Sequence, residues 1–155
     1  MDIPSVMFIC LGNICRSPMA EQVARRWAAE DGLTAHIDSA GVSREELGNP
    51  MDPRAQHTLR AHDYPVGDHR AQLITRAAIH SADLVIAAES YHVQRMRQIA
   101  PDARNLHLLT DFDPAAHPGS PLPDPWYGGQ EGFEETLAAI ESAMPGILAA
   151  IRDFG

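Results

Sequence analysis

Cys10 and Arg16 bracket a short stretch, Cys10-Leu11-Gly12-Asn13-Ile14-Cys15-Arg16-Ser17-Pro18, whose Cys-x5-Arg spacing brings a nucleophile and an anion clamp to one small loop. A thiolate can attack an electrophile, and a guanidinium fork grips paired oxygens. The apolar run Val6-Met7-Phe8-Ile9 leads in, and helical spacing from Met19 to Trp27 leads out, ending near Gly32. Strand, tight loop and helix start together aim backbone N–H groups and the positive end of a helix at one point. An oxyanion belongs there, held by Leu11, Gly12, Asn13, Ile14, Cys15, Arg16 and Ser17. In that field the Cys10 thiol is expected to fall from about 8.5 into the range of about 3.5–7.5 seen for activated cysteines, leaving a thiolate at neutral pH. The competing reading makes cysteine a small buried hydrophobe ending a core strand. It suits Cys15 better than Cys10.

A second group of candidates lies far along the chain. The segment from Thr110 to Glu131 carries Pro114, Pro118, Pro121, Pro123, Pro125, Gly119, Gly128 and Gly129. Compact domains seldom keep so long a loop unless it binds or catalyses. Within Pro123-Asp124-Pro125-Trp126-Tyr127, the following proline drives Asp124 out of helical conformations and so aims its carboxyl. An ordinary Asp-Pro turn explains the same residues, since both types dominate turns. Were a phosphate monoester seated in the loop, Cys10 could attack phosphorus to give a cysteinyl-phosphate, dividing one displacement into two. Asp124 could protonate the leaving oxygen and later take a proton from water, help commonly worth about 10²–10⁴ in rate. Trp126 and Tyr127 would wall the site with flat apolar surface suited to an aromatic leaving group. Ser17 could donate to the Cys10 sulfur, or cap a helix whose first position is Pro18.

Bulk composition limits the alternatives. The chain has 155 residues, the length of one domain spanning 1–155, with 45% hydrophobic and 21% charged residues. A net charge of −9 argues against nucleic-acid or acidic-membrane partners, so anion binding must be local. No signal segment or membrane-spanning apolar run is read, making a cytoplasmic location the default, with export lacking a cleaved signal left open. Two cysteines form neither a disulfide framework nor a zinc set, and they read as reactive chemistry. His36, His57, His62, His80, His92, His107 and His117 lack metal-ligand spacing and read as surface or helix-face residues. No metal and no cofactor are expected.

The elements that must position these residues alternate. Strands are expected at the Val6–Ile9 run and at 35–40, 83–88 and 105–109. Helices are expected over 17–31, 53–62, 75–81, 90–100 and about 132–152, the last with Leu137, Ile140, Met144, Ile147, Leu148 and Ile151 on one face. This alternation predicts an α/β fold: a four-stranded parallel sheet, doubly wound, with helices on both faces. In such sheets ligands bind beyond the carboxyl ends of the strands, where a loop after strand one places Cys10.

With these residues set out, the chain resembles the low-molecular-weight protein tyrosine phosphatases. The resemblance rests on Val6 through Glu21 and continues through Asp38-Ser39-Ala40-Gly41, Gly48-Asn49-Pro50, Asp52-Pro53-Arg54, His69 with Gln72-Leu73-Ile74, and Asp124-Pro125-Trp126-Tyr127-Gly128. It implies hydrolysis of phosphotyrosine in proteins and of small aryl phosphates, with Cys10 as nucleophile, Arg16 as phosphate clamp and Asp124 as general acid and base. It further implies that Asn13, Ser39 and His69 support the loop, Asn13 tolerating a left-handed backbone. Cys15 can, on this resemblance, pair with Cys10 on oxidation and shield it from irreversible damage. The resemblance leaves the physiological phosphoprotein and the oligomeric state open, with a monomer as the default. Two departures stand out. Arg44-Glu45-Glu46 replaces an aromatic wall residue before Gly48-Asn49-Pro50, and Ala87-Ala88-Glu89-Ser90 puts Ala88 where relatives often carry a carboxylate.

Three rivals share parts of the pattern. Arsenate reductases of this fold need further downstream cysteines, and none follows Cys15. Phosphocysteine carriers of sugar transport pass phosphate on, whereas Arg16 and Asp124 favour hydrolysis. A catalytically lapsed phosphate-binding or redox-sensing module is suggested only by Glu45 and Ala88.

Overall fold

The computed structural model describes residues 2–154. Four strands, β1 (Ser5–Cys10), β2 (His36–Gly41), β3 (Leu84–Ala87) and β4 (Leu106–Leu108), pair in the order β2-β1-β3-β4, every neighbour parallel. Five helices join them: α1 (Arg16–Glu30), α2 (Pro53–Ala61), α3 (Arg76–Ser81), α4 (Ser90–Ile99) and α5 (Gln130–Arg152). A 3₁₀ turn at Leu109–Phe112, absent from the sequence expectations, carries the chain off β4.

Side chains of a strand alternate between faces, and β1 shows how this splits the core. Val6, Phe8 and Cys10 face a cluster built on α1 and α5 that includes Met19, Val23, Phe133, Leu137 and Met144. Ile9 faces the opposite cluster with Val85, Ala87, Ile79 and Met96, contributed by β3, α3 and α4. The sheet is covered on both sides, as the alternating elements predict. Fully burying a side chain such as Phe8 or Phe133 contributes about 1.5–3 kcal/mol.

Local chemistry sets the helix ends that matter to the site. At the end of α1, Gly32 takes φ +68°, and Leu33 N–H returns to the Ala28 carbonyl at 2.8 Å. Asp52 caps α2 by accepting from Arg54 N–H at 2.8 Å, with Pro53 in the first helical position. In α5 the helix runs through Pro145 and begins at Gln130, two residues before the expected start. A Cβ at Gly146 would lie 2.5 Å from the Phe112 carbonyl oxygen, so glycine is what lets the 3₁₀ turn seat on α5.

The chain leaves β1 toward β2, then crosses back to β3 on the other side of β1. The crevice between the carboxyl ends of β1 and β3 is the switch point of this sheet. The long proline-rich segment reaches it through Leu122, which is buried and donates its N–H to the Ala88 carbonyl at 2.8 Å.

Candidate active site

Cys10 ends β1, and the loop from Leu11 to Cys15 turns directly into α1 at Arg16. Asn13 makes the turn possible with φ +60°, the left-handed conformation expected of it. Among the described residues, the backbone N–H groups from Leu11 to Ser17 donate to no protein acceptor, whereas the loop carbonyls are bound from outside. Val42 N–H reaches the Cys10 carbonyl at 3.1 Å, Ser43 N–H the Leu11 carbonyl at 3.0 Å, and Asp52 N–H the Ile14 carbonyl at 2.9 Å. Carbonyls held outward and amides left to face the concave side make an anion cradle. Gly41 permits this bracing, because a Cβ there would sit 2.7 Å from the Leu11 oxygen.

Behind the loop, hydrogen bonds run from Gln72 through Asn13 to Ser17 and Ser39. Gln72 N–H, which can only donate, bonds Asn13 Oδ1 at 3.0 Å, so the Asn13 amide nitrogen must face the other way. There Nδ2 donates to Ser17 Oγ at 2.8 Å and to Ser39 Oγ at 3.0 Å. Ser39 passes its own hydrogen to Glu21 Oε1 at 2.6 Å, and Glu21 is paired with Arg25 at 3.0 Å. Ser17 has its hydrogen left for Cys10 Sγ, 2.9 Å away. With Cys10 as a thiolate, the sulfur is the acceptor of that hydrogen. His69 Nε2 bonds the Asn13 carbonyl at 2.6 Å, and Gln72 Nε2 donates to the Ser39 carbonyl at 2.8 Å.

Across the crevice, Arg16 is buried and held in place. Its Nη1 donates to Glu89 Oε2 at 2.8 Å and to the Leu122 carbonyl at 3.0 Å, and its Nη2 lies 3.7 Å from Asp124 Oδ2. Asp124 Oδ1 accepts from Trp126 N–H at 3.1 Å, so the carboxylate is part of an Asp-Pro turn and also faces the guanidinium. Arg54 holds the wall beyond. It donates to the Trp126 carbonyl at 3.1 Å and lies 5.4 Å from the Trp126 ring centroid and 4.8 Å from that of Phe133. Burial pushes the Asp52 carboxyl up, but hydrogen bonds and charge from Arg54 outweigh it and hold the group below the usual carboxylate range.

One pocket gathers these groups. Cys10, Leu11, Gly12, Ile14, Cys15, Arg16, Asp124, Trp126 and Tyr127 line it, with Glu45 and Glu46 on the rim. Asn13, Ser17, Ser39 and His69 stand behind the loop rather than in the pocket. Cys15 is buried, and burial first, then the charges of Asp52 and Cys10, push its thiol far above the ordinary range. It is a protonated neighbour of Cys10.

Several sequence expectations need correction. Ser17 is the second residue of α1 and does not cap it; the capping position is Cys15, without a side-chain bond, and Pro18 is the third helical residue. Glu89, the residue after Ala88, precedes α4 and sets its side chain on Arg16, a contact that the sequence expectations did not include. His92 is not a surface residue: it is 1% exposed, and its Nδ1 has no partner. Burial, then the Arg16 charge, lowers its pKa to about 4. Glu21, Gln72 and Arg54 are working parts that the sequence expectations do not include, although each stands inside one of the motifs above. The signal available was spacing: Glu21 lies one helical turn past Ser17 and so on its face of α1.

Fold and site together define an α/β protein with a phosphate-type anion cradle and a cysteine at its floor. The chain belongs to the low molecular weight phosphotyrosine protein phosphatase family, whose model matches residues 5–153. It is 42% identical over 154 residues to the low molecular weight protein-tyrosine-phosphatase of Streptomyces coelicolor, covering 96% of this chain and 93% of that one. Among solved structures, YfkJ from Bacillus subtilis superposes with a TM-score of 0.91 at 31% identity, covering 99% of this chain and 97% of the other. A mutant of YwlE arginine phosphatase with a phosphorylated active-site serine superposes with a TM-score of 0.86 at 25% identity, covering 96% and 95%. The chain is accordingly a protein-tyrosine phosphatase, a hydrolase acting on phosphoproteins.

Proposed function

We propose that this phosphatase works through a cysteinyl-phosphate intermediate, with Cys10 as nucleophile, Arg16 and the amides of residues 11–17 holding the phosphoryl oxygens, and Asp124 as general acid and then base. The Cys10 sulfur attacks phosphorus while the bond to the tyrosyl oxygen breaks, and Asp124 gives that oxygen its proton. Water then attacks phosphorus, Asp124 accepts its proton, and the sulfur leaves as thiolate. Amides and guanidinium are fixed before the reaction, so charge on the transferring group meets dipoles already oriented.

The observation that carries this reading is the Ser17 hydroxyl at 2.9 Å from Cys10 Sγ, with Asn13 Nδ2 donating to the same hydroxyl oxygen. A sulfur that receives a hydrogen bond is favoured in its anionic state, both as attacking and as departing group. Asn13, Ser39 and His69 serve in this scheme as loop support, and Trp126 and Tyr127 as the wall against the aromatic ring. The serine phosphorylated in the YwlE mutant supports a covalent route in this fold.

Cys15 is proposed as a resolving partner. Peroxide oxidises the Cys10 thiolate to a sulfenic acid, and the Cys15 sulfur then displaces hydroxide, which leaves as water, to form a disulfide. The lining of one pocket by both sulfurs supports it.

The test is turnover of aryl phosphates with leaving groups of graded acidity by wild type, Cys10→Ser and Asp124→Ala. Cys10→Ser is expected to abolish turnover. Asp124→Ala is expected to slow it by about 10²–10⁴, most for the least acidic phenols. Wild-type turnover by Cys10→Ser would reject the nucleophile, and an equal loss across leaving groups would remove Asp124 from the acid role.

A further inference from the structure

The pocket carries two carboxylates that the proposed reaction leaves unused. Glu45 and Glu46 line the pocket mouth, and among the described residues neither forms an ion pair. Glu46 is held in place: its Oε2 accepts from Asn49 Nδ2 at 2.8 Å, and its Cγ lies 3.1 Å from where a Cβ on Gly12 would be. It therefore lies across the anion loop itself. Glu45 stands exposed beside it, its N–H turned back to Ser43 Oγ at 3.1 Å.

Nearby positive charge does not cancel them. Arg54, on the far wall, is committed to Asp52 at 2.9 Å, and Arg16 to Glu89 at 2.8 Å. Arg44 is exposed and outside the pocket lining. Asp124 adds a third carboxylate to the lining, and the chain as a whole carries −9. A phosphorylated peptide brings a dianion toward this rim, and acidic flanks would worsen the repulsion. Cationic flanks would relieve it, while their aliphatic stems could lie against Leu11, which is 40% exposed.

We infer that Glu45 and Glu46 are specificity residues that select phosphotyrosine sites flanked by lysine or arginine and reject those flanked by acid. This inference rests on the phosphatase reading above and narrows its substrate class.

The experiment compares kcat/KM for three phosphotyrosine peptides identical except for flanking residues: two lysines, two alanines or two glutamates. Each is measured with wild type and with the Glu45→Gln, Glu46→Gln double variant, at low and high salt. Wild type is expected to prefer the lysine over the glutamate peptide by about 3- to 10-fold at low salt, a size typical of a few exposed charge pairs. The preference should shrink at high salt, where screening is strong, and fall toward unity in the double variant. An undiminished ratio in the double variant, or a wild-type preference for the glutamate peptide, would overturn the inference while leaving phosphatase activity intact. Hydrolysis of none of the three peptides would overturn both readings, and a double variant that lost its fold would be exposed by circular dichroism. In that case single Glu45→Gln, at the exposed position, decides by the same ratio.

Discussion

Nη1 of Arg16 lies 2.8 Å from Oε2 of Glu89, so a carboxylate from the start of α4 holds the guanidinium that the anion loop presents at its mouth. Because Arg16 is only 4% exposed, its orientation depends on this bond and on the Leu122 carbonyl at 3.0 Å. Glu89→Ala removes the stronger partner. A hydrogen bond to a charged group contributes about 1.5–3 kcal/mol, so kcat/KM should fall about 10- to 100-fold. Competitive inhibition by inorganic phosphate should weaken in parallel. Unchanged phosphate affinity would show that Glu89 does not position the clamp.

Ser17 offers a finer probe of the network behind Cys10. Ser17→Ala removes the hydroxyl at 2.9 Å from sulfur and leaves the loop's backbone bracing intact. The sulfur must depart as an anion in the second step, so that step should slow more than the first. Stopped-flow measurement with an activated aryl phosphate should show a larger initial burst and a kcat lower by about 10-fold, the size of one such bond. Equal slowing of burst and steady state would contradict the proposed role.

His92 makes stability depend on pH. Its imidazole has a pKa of about 4 in the fold, against an ordinary 6.5, because burial and then Arg16 disfavour the charged form. The unfolded chain therefore binds a proton here between pH 6.5 and 4 that the native state does not. Stability is fully present above pH 6.5 and is lost as pH falls toward 4, by up to about 3 kcal/mol. Denaturant titrations of wild type and His92→Gln across that window should show a shallower pH dependence in the variant. Parallel curves would place the lost stability elsewhere.

Oxidation distinguishes the two cysteines. Both cysteines are buried, but the Cys15 thiol is pushed strongly upward, so Cys10 should meet peroxide first. Wild type is expected to lose activity and regain it with dithiothreitol, whereas Cys15→Ala should lose it irreversibly. Mass spectrometry finding only sulfinic acid on Cys10 in the wild type would contradict the protective pairing.

Sequence legibility followed physical locality. The loop could be read because its residues are contiguous and their types carry the chemistry, from the left-handed Asn13 to the cysteine at the strand end. The parallel sheet followed from alternating periodicities, and helix ends from Gly32 and Pro53. What stayed hidden depends on packing between distant segments. Glu89 has no assigned role in the sequence because one residue of register at the β3–α4 junction decides which side chain meets Arg16. His92 reads from sequence as a surface or helix-face residue because a polar residue in an amphipathic helix ordinarily faces water, and only tertiary packing buries it. Arg54 gave no sequence sign of its place beside Trp126 and Phe133, which lie more than seventy positions downstream.

Catalysis by this site requires a bond between Cys10 sulfur and phosphorus. The direct measurement is phosphorus NMR, with peptide mapping, on Asp124→Ala quenched during turnover of p-nitrophenyl phosphate, where intermediate breakdown should lag its formation. A phosphorothioate resonance on the peptide bearing Cys10 is the predicted result. Rapid turnover without any phosphorylated enzyme, or phosphate carried on another residue, would contradict it.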